Sequence, residues 1–229
     1  MNASLISDTP WDAAAFDMYT GELTEYSESA LQAATAHPGH YTLKIDPLAD
    51  SSLLQKYGFY YCDTQLEPWC SSTDLRPPPA RPEATIRREV SLPAILAICR
   101  GSFLHGRFHR DFNLPRANAE LRYENWLRQL YEQQSVFGLF SGDGLAGFIA
   151  YSGNNLVLHA ISEAYRGKGL AKYWWGAACT DLFAAGHGEI RSSISAANVA
   201  VLNLYASLGF RFRNPVDVYH RLVGQEESK

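Results

Sequence analysis

The spacing of apolar positions changes along the chain, and each change of period marks out an element. Leu170, Trp174, Ala178 and Leu182 recur every four residues, which gathers them on one helical face, and Gly186 supplies the stop. A longer helix is predicted over 117–134, where Leu121, Trp126, Leu127, Leu130 and Tyr131 fall near helical spacing. Residues 135–140 and 145–151 read as two strands joined by Ser141-Gly142-Asp143-Gly144, the turn chemistry of a hairpin. The mostly apolar run 155–162 reads as a strand buried on both faces. Further strands are predicted at 40–46, 60–68, 85–92 and 189–195, with short helices over 51–59 and from Pro93. A helix from Asn198 closed by Gly209 and a last pair of strands around a turn at Pro215 complete the pattern.

Four prolines within positions 77–82 forbid helix and central strand, so the stretch 71–84 is expected to be a linker. It divides a small degenerate α/β domain of βαβ-like pattern, residues 1–70, from a main domain, residues 85–229. The main domain reads β-α-α-β-β-β-α-β-α-β-β, an α/β (α+β) fold with a mixed sheet flanked by helices.

Composition narrows the classes of function. With 46% apolar and 19% charged residues, 5 Trp, 13 Tyr and 11 Phe, the chain has the material for a packed core, and disorder is excluded. Twenty basic against 24 acidic residues give a formal charge of -4, which provides no field for neutralising a nucleic-acid backbone. No apolar run approaches the ~20 residues that span a bilayer, and the N-terminal residues lack a basic region leading into an apolar one, so a cytoplasmic location is expected. Cys62, Cys70, Cys99 and Cys179 are too scattered for a disulfide framework or a zinc knuckle. His105 and His109 stand four apart, a metal-ligand spacing, but no third ligand accompanies them and no metal is assigned.

The chemistry concentrates at Arg166-Gly167-Lys168-Gly169-Leu170-Ala171, where a buried strand turns into a helix. Two glycines there let successive backbone N–H groups point outward, the helix end adds a positive dipole, and Arg166 and Lys168 add charge, so a pyrophosphate is the natural ligand. The spacing is that of neither a mononucleotide P-loop nor a dinucleotide fingerprint: no Ser or Thr follows Lys168, and Lys172 stands where a third glycine belongs.

Arg-x-x-Gly-x-Ala after a strand instead resembles the signature of the GNAT superfamily of acetyl-CoA-dependent N-acetyltransferases. The resemblance extends to Asn198 at the head of a later helix and Tyr205 seven residues on, on the same helical face, followed by Leu208-Gly209-Phe210. It implies the GNAT acyl-CoA N-acyltransferase fold, acetyl-CoA as co-substrate and direct attack by a primary amine. In that scheme Tyr205 protonates the departing thiolate, a backbone N–H at Ala160 or Ile161 meets the oxyanion, and Asn198 bonds near the cofactor. Asn198 also fits a plain helix N-cap.

A narrower resemblance lies in Gly106-Arg107-Phe108-His109-Arg110-Asp111-Phe112-Asn113-Leu114-Pro115 and the Trp126 helix. It is similar to the pattern of TDP-fucosamine acetyltransferases and related enzymes that acetylate the amine of a sugar nucleotide, although Gly106 replaces a Ser and His109-Arg110 replace aromatics. It implies a small-molecule acceptor held by Arg107, Phe108, His109 and Asp111, the arginines meeting a diphosphate. Polyamines, aminoglycosides, peptide N-termini and a non-catalytic acyl-CoA sensor stay open as alternatives. His109, Asp111, His159 and Glu163 can each accept a proton, and no spacing singles out a general base. Exposed aromatics and the small N-terminal domain are compatible with a homodimer.

Overall fold

The computed structural model describes residues 4–224. In chain order the elements are β1 (Ile6–Asp8), α1 (Pro10–Phe16), β2 (Thr20–Leu23), α2 (Glu28–Ala33), β3 (Gly39–Ile45), α3 (Ser52–Lys56) and β4 (Tyr60–Ser71). They continue with β5 (Ala84–Arg87), α4 (Leu92–Cys99), α5 (Arg116–Glu132), β6 (Val136–Ser141), β7 (Gly144–Ser152) and β8 (Asn155–Ile161). A 3-10 turn at Glu163–Tyr165 leads to α6 (Ala171–Ala184), then β9 (Glu189–Ser192), β10 (Ile194–Ser195), α7 (Val199–Ser207) and β11 (Arg211–Val223).

By compactness the chain divides into two units, which differ from the expected division at 71–84. One takes the residues up to Gln65, His105–Arg122 and those from Pro215 on; the other takes Leu66–Leu104 and Tyr123–Asn214. Strand pairing is the reason: residues 217–223 of β11 lie antiparallel to residues 39–45 of β3, so the last strand finishes the first unit's sheet. In that unit β1 is antiparallel to β2, and β2 is parallel to β3. Leu23, Leu31, Tyr41, Leu43 and Leu54 form its apolar centre.

A second cluster in the first unit is polar at its heart. Asp111, 2% exposed, accepts from His220 Nδ1 at 2.8 Å, His40 Nε2 at 3.2 Å, the Tyr60 hydroxyl at 3.0 Å and the Asn113 backbone N–H at 3.0 Å. Burial alone would raise its pKa, but the bonds from His220 and His40 hold it well below the usual carboxylate range. Burial lowers His220 to about 3, so its ring is neutral. Phe16 and Phe108 wall the cluster, their rings 5.3 Å apart, with His220 5.5 Å from Phe108.

The second unit carries a mixed sheet in the order β4-β9-β8-β7-β6-β5, in which Trp69–Ser71 of β4 pair with Glu189–Arg191. Helices cover both faces, as the patterning predicts. On one face Trp174, Ala178 and Leu182 of α6, with Leu170 just ahead of it, pack with Phe137, Leu139, Ile149 and Ile190. On the other, Ile95 and Leu96 of α4 and Tyr123, Leu127 and Leu130 of α5 pack with Phe148, Ala150 and Leu158. Successive residues of β7, Phe148 and Ile149, thus serve opposite cores, as a strand's two-residue period requires.

Several expected boundaries shift. The strand expected at 85–92 ends at Arg87, and the one expected at 189–195 breaks at Ser193. The last two strands are one, β11, which runs through Asn214, at a left-handed φ of 50°, and Pro215, where a turn was expected. The proline run is docked on the second unit. Arg76 N–H bonds Leu208 O at 2.9 Å, and a Cβ on Gly176 of α6 would stand 3.2 Å from Pro77. Gly209, at φ +90°, leaves a hypothetical Cβ 2.2 Å from Asp74 O, so that crossing admits only glycine.

Candidate active site

The site is built where β8 loses a neighbour. Along its length β8 is antiparallel to β7, but its parallel pairing with β9 covers only Asn155 with Arg191 and Leu156 with Ser192. The Ser192 hydroxyl caps this last contact by donating to Leu156 O at 2.7 Å. One residue later the β7 register skips Val157, since Ala150 faces Leu158 and Tyr151 faces Leu156. Such a bulge turns the strand and re-aims its peptide groups. Ser162 N–H bonds Ala146 O at 2.8 Å, so by the two-residue period Ala160 N–H also points to β7, while Ile161 and His159 direct theirs to the side β9 has left. Of the two expected oxyanion donors, Ile161 is the one aimed there. Gly147 lets the strands come this close, because a Cβ on it would lie 2.2 Å from Ala160 O.

Beyond β8 the chain enters the basic glycine turn. Gly167 and Gly169 take left-handed φ values of +74° and +70°, and Leu170 returns to φ -84°, ψ -22°. A left-handed residue followed by a right-handed one, as at Gly169-Leu170, turns successive N–H groups into a concavity that suits an anion. Helix α6 opens from Leu170 without a side-chain cap, and Gly167, Lys168 and Gly169 are exposed. Arg166 bends back: its Nε donates to Ile161 O at 2.8 Å and its Nη2 to Ser102 Oγ at 3.2 Å, tying the turn to the end of β8. Lys168 Nζ stands 4.9 Å over the Tyr165 ring. Leu170 is buried in the core, which leaves its backbone as the part that can serve a ligand.

Asn198 is the N-cap of α7, its side chain accepting from Val201 N–H at 3.4 Å. Seven residues on, Tyr205 is fully buried against Phe210, rings 4.7 Å apart, with its hydroxyl 3.3 Å from His159 Nε2. Burial pushes the phenol upward, although Ser192 and Trp175 beside it favour the phenolate, so it stays protonated at any physiological pH. Burial lowers His159 to about 4, and the neutral ring meets Trp175 edge-on at 5.1 Å. Spacing along the chain gave no reason to prefer His159 over the other candidate bases; its place beside Tyr205 is a product of the fold.

The structure thus gathers Ala160, Ile161, the 166–171 turn, Asn198 and Tyr205 in the second unit. Arg107, Phe108, His109 and Asp111 belong to the first unit and largely serve its interior. Phe108 is 2% exposed, His109 Nε2 meets Glu120 at 2.9 Å, Asp111 holds the polar cluster, and the Arg107 guanidinium lies 4.6 Å over the Phe108 ring. Arg110 pairs with Asp63 at 2.5 Å. Phe112, on the same loop, is 95% exposed.

A mixed sheet that parts beside a glycine turn is the feature with which the comparisons agree. Residues 104–210 match the acetyltransferase (GNAT) family. The fold is similar to that of a GCN5-related N-acetyltransferase from Sphaerobacter thermophilus, with 12% identity over 95% of this chain and 75% of that one and a TM-score of 0.60. A GCN5-related N-acetyltransferase from Kribbella flavida gives 12% identity, 90% and 82% coverage and a TM-score of 0.57. A functionally unknown conserved protein from Staphylococcus epidermidis gives 11% identity, 97% and 92% coverage and a TM-score of 0.64. No curated protein matches the sequence. The chain has the GNAT fold, and residues 104–210 carry the likeness to the acetyltransferase family. No helix among the described residues is long and apolar enough to cross a membrane.

The low titration point of His159 sets a pH dependence. Unfolded, the ring titrates near 6.5, and folded near 4. Above neutrality both states are unprotonated and the core is at full stability. As pH falls below about 6.5 the unfolded chain gains a proton that the folded chain refuses, so stability drops until the folded ring titrates. Urea midpoints measured from pH 7.5 to 4.5 should decline, and His159→Gln should remove a part of that slope on the order of 1 kcal/mol per pH unit. Identical slopes for the two proteins would mean that the ring is open to protons in the folded state.

Proposed function

We propose that the enzyme acetylates the primary amine of a small acceptor, and that this acceptor is an amino-sugar nucleotide. The observation that carries the first part is the release of β8 from β9 after Leu156, beside a turn with two left-handed glycines and facing a buried tyrosine. The residues fit acetyl-CoA by their donor set: a concave row of N–H groups for a diphosphate, and a strand edge with peptide groups to spare for an amide-bearing arm. Bound there, acetyl-CoA supplies an acyl thioester activated for attack by a neutral amine.

The chain's own groups then divide the work. Gly167, Lys168, Gly169 and Ala171 hold the diphosphate through backbone N–H groups, and Arg166 keeps the turn against β8. Ile161 N–H offers a fixed dipole where negative charge develops on the carbonyl oxygen. Tyr205 holds a proton at its hydroxyl for the leaving sulfur, and its burial keeps that proton in place until a basic thiolate forms beside it. Asn198 fixes the start of α7 and so the depth at which Tyr205 sits.

The acceptor class rests on the resemblance of the 106–115 segment and on Arg107 and Arg110, two cations suited to phosphates. The inward turn of Phe108, His109 and Asp111 supports a framework role for them, and an anionic acceptor would add to, or compete with, the contacts the two arginines already make, as with the Arg110–Asp63 pair. Thiol release from acetyl-CoA, followed across amino-sugar nucleotides, free amino sugars, polyamines and peptides, tests this reading. The nucleotide conjugates should react fastest, and Arg107→Ala should weaken them far more than the free amino sugars. Equal turnover of a polyamine or free amino sugar, untouched by Arg107→Ala, would replace the sugar nucleotide with a general amine.

Two substitutions probe the machinery. Gly169→Val forces a β-branched residue into a left-handed conformation costing ~1–3 kcal/mol, so acetyl-CoA affinity should fall about 10- to 100-fold by calorimetry while the far-ultraviolet spectrum is unchanged. Undiminished binding by the folded variant would remove the turn from the cofactor site. Tyr205→Phe should lower kcat by ~10²–10⁴-fold with acetyl-CoA affinity retained, and full turnover would reduce Tyr205 to a packing residue.

A further inference from the structure

We propose that His40, Asp111 and His220 form a binding site for a divalent transition-metal ion, zinc in the first instance, inside the first unit. Each offers a ligand atom, and the three atoms lie within 4.8 Å of one another. With metal bonds of ~2.0–2.2 Å, neighbouring ligand atoms stand about 3 Å apart, and the observed separations from Asp111 Oδ2 are 2.8 Å to His220 and 3.2 Å to His40. Two imidazoles and one carboxylate are a donor set that zinc and its first-row neighbours take readily, while calcium and magnesium prefer oxygen alone.

In a network without metal, both rings donate to Asp111, and His220 Nε2 becomes a buried lone pair with no partner among the described residues. The His220 nitrogen facing Asp111 is Nδ1, so an ion held there would take its lone pair and move the ring proton to Nε2. The surroundings fit an ion as well. All three ligands are at most 2% exposed, aromatic rings of Phe16 and Phe108 wall the site, and the Tyr60 hydroxyl and Asn113 N–H bond the carboxylate from outside, as the outer partners of metal ligands do. The ligands come from β3, from the 105–115 loop and from β11, so an ion would fasten three stretches of chain that meet nowhere else in sequence. The role assigned is structural, and it stands apart from the acetyl-transfer reading.

The test uses the full chain, stripped with EDTA and titrated with zinc chloride in a calorimeter. One zinc per chain should bind, and the melting temperature should rise with zinc. His40→Gln and His220→Asn each keep an N–H where the ring nitrogen offers one to Asp111, so a hydrogen-bond network survives them while a metal site does not. Each should weaken zinc by at least about 100-fold and abolish the rise in melting temperature. Absence of zinc binding by the wild-type chain overturns the proposal, and so does binding that both variants retain, which would locate the zinc on other histidines. Should a variant fail to fold, nitrogen-15 spectra of the wild-type imidazoles decide: the two slowly exchanging buried rings shift on adding zinc, and their failure to shift overturns the site.

Discussion

Backbone polar groups inside a sheet must find partners, and β8 is the strand on which this requirement bears hardest. It keeps β7 throughout but surrenders β9 after Leu156, and the neighbouring structure answers to that loss. Ser192 closes the last shared position with its hydroxyl, Val157 bulges, and Arg166 reaches back to take Ile161 O. The peptide groups that remain are directed at one side of one strand, where a ligand with amide groups can act as the missing neighbour. In the proposed reading, transfer chemistry needs little more than a proton store and an anion seat beside that gap, the roles given there to Tyr205 and the glycine turn.

The first unit meets a different demand. A carboxylate without solvent is tolerable only when donors surround it, and Asp111 draws four, one from its own loop and three from separate stretches of chain. The loop that carries Asp111 is thereby held by its own inward side chains, and the conformation of its outward residues, Phe112 among them, is set by bonds made on the other side of the backbone.

Much of the second unit could be read from the chain because its signals are local. The four-residue recurrence from Leu170 to Leu182 is a helix face whatever it packs on, and the glycine turn declares its backbone by residue type alone. The β8 strand was legible, whereas its parting from β9 is not carried by the residues themselves, since no property of residues 157–161 says which neighbour they lack. The proline run was read as a linker because proline excludes helix and sheet. Gly176 and Gly209, which show that the run is packed, look unremarkable in sequence. The elements before residue 39 are three to seven residues long, too short for a period to emerge, so they went unread. His40, Asp111 and His220 lie 71 and 109 residues apart, beyond any spacing rule.

The pairing of β11 with β3 bears on how the molecule is made. A ribosome delivers β3 early and β11 only after the whole of the second unit has emerged, so the sheet of the first unit waits with one edge open while its neighbour in sequence folds. Contacts that close so long a loop form slowly. The nascent chain therefore passes through a stage in which the strand Tyr41 to Ile45 lacks its neighbour on that edge, and the speed of that final closure sets how long the edge stays open.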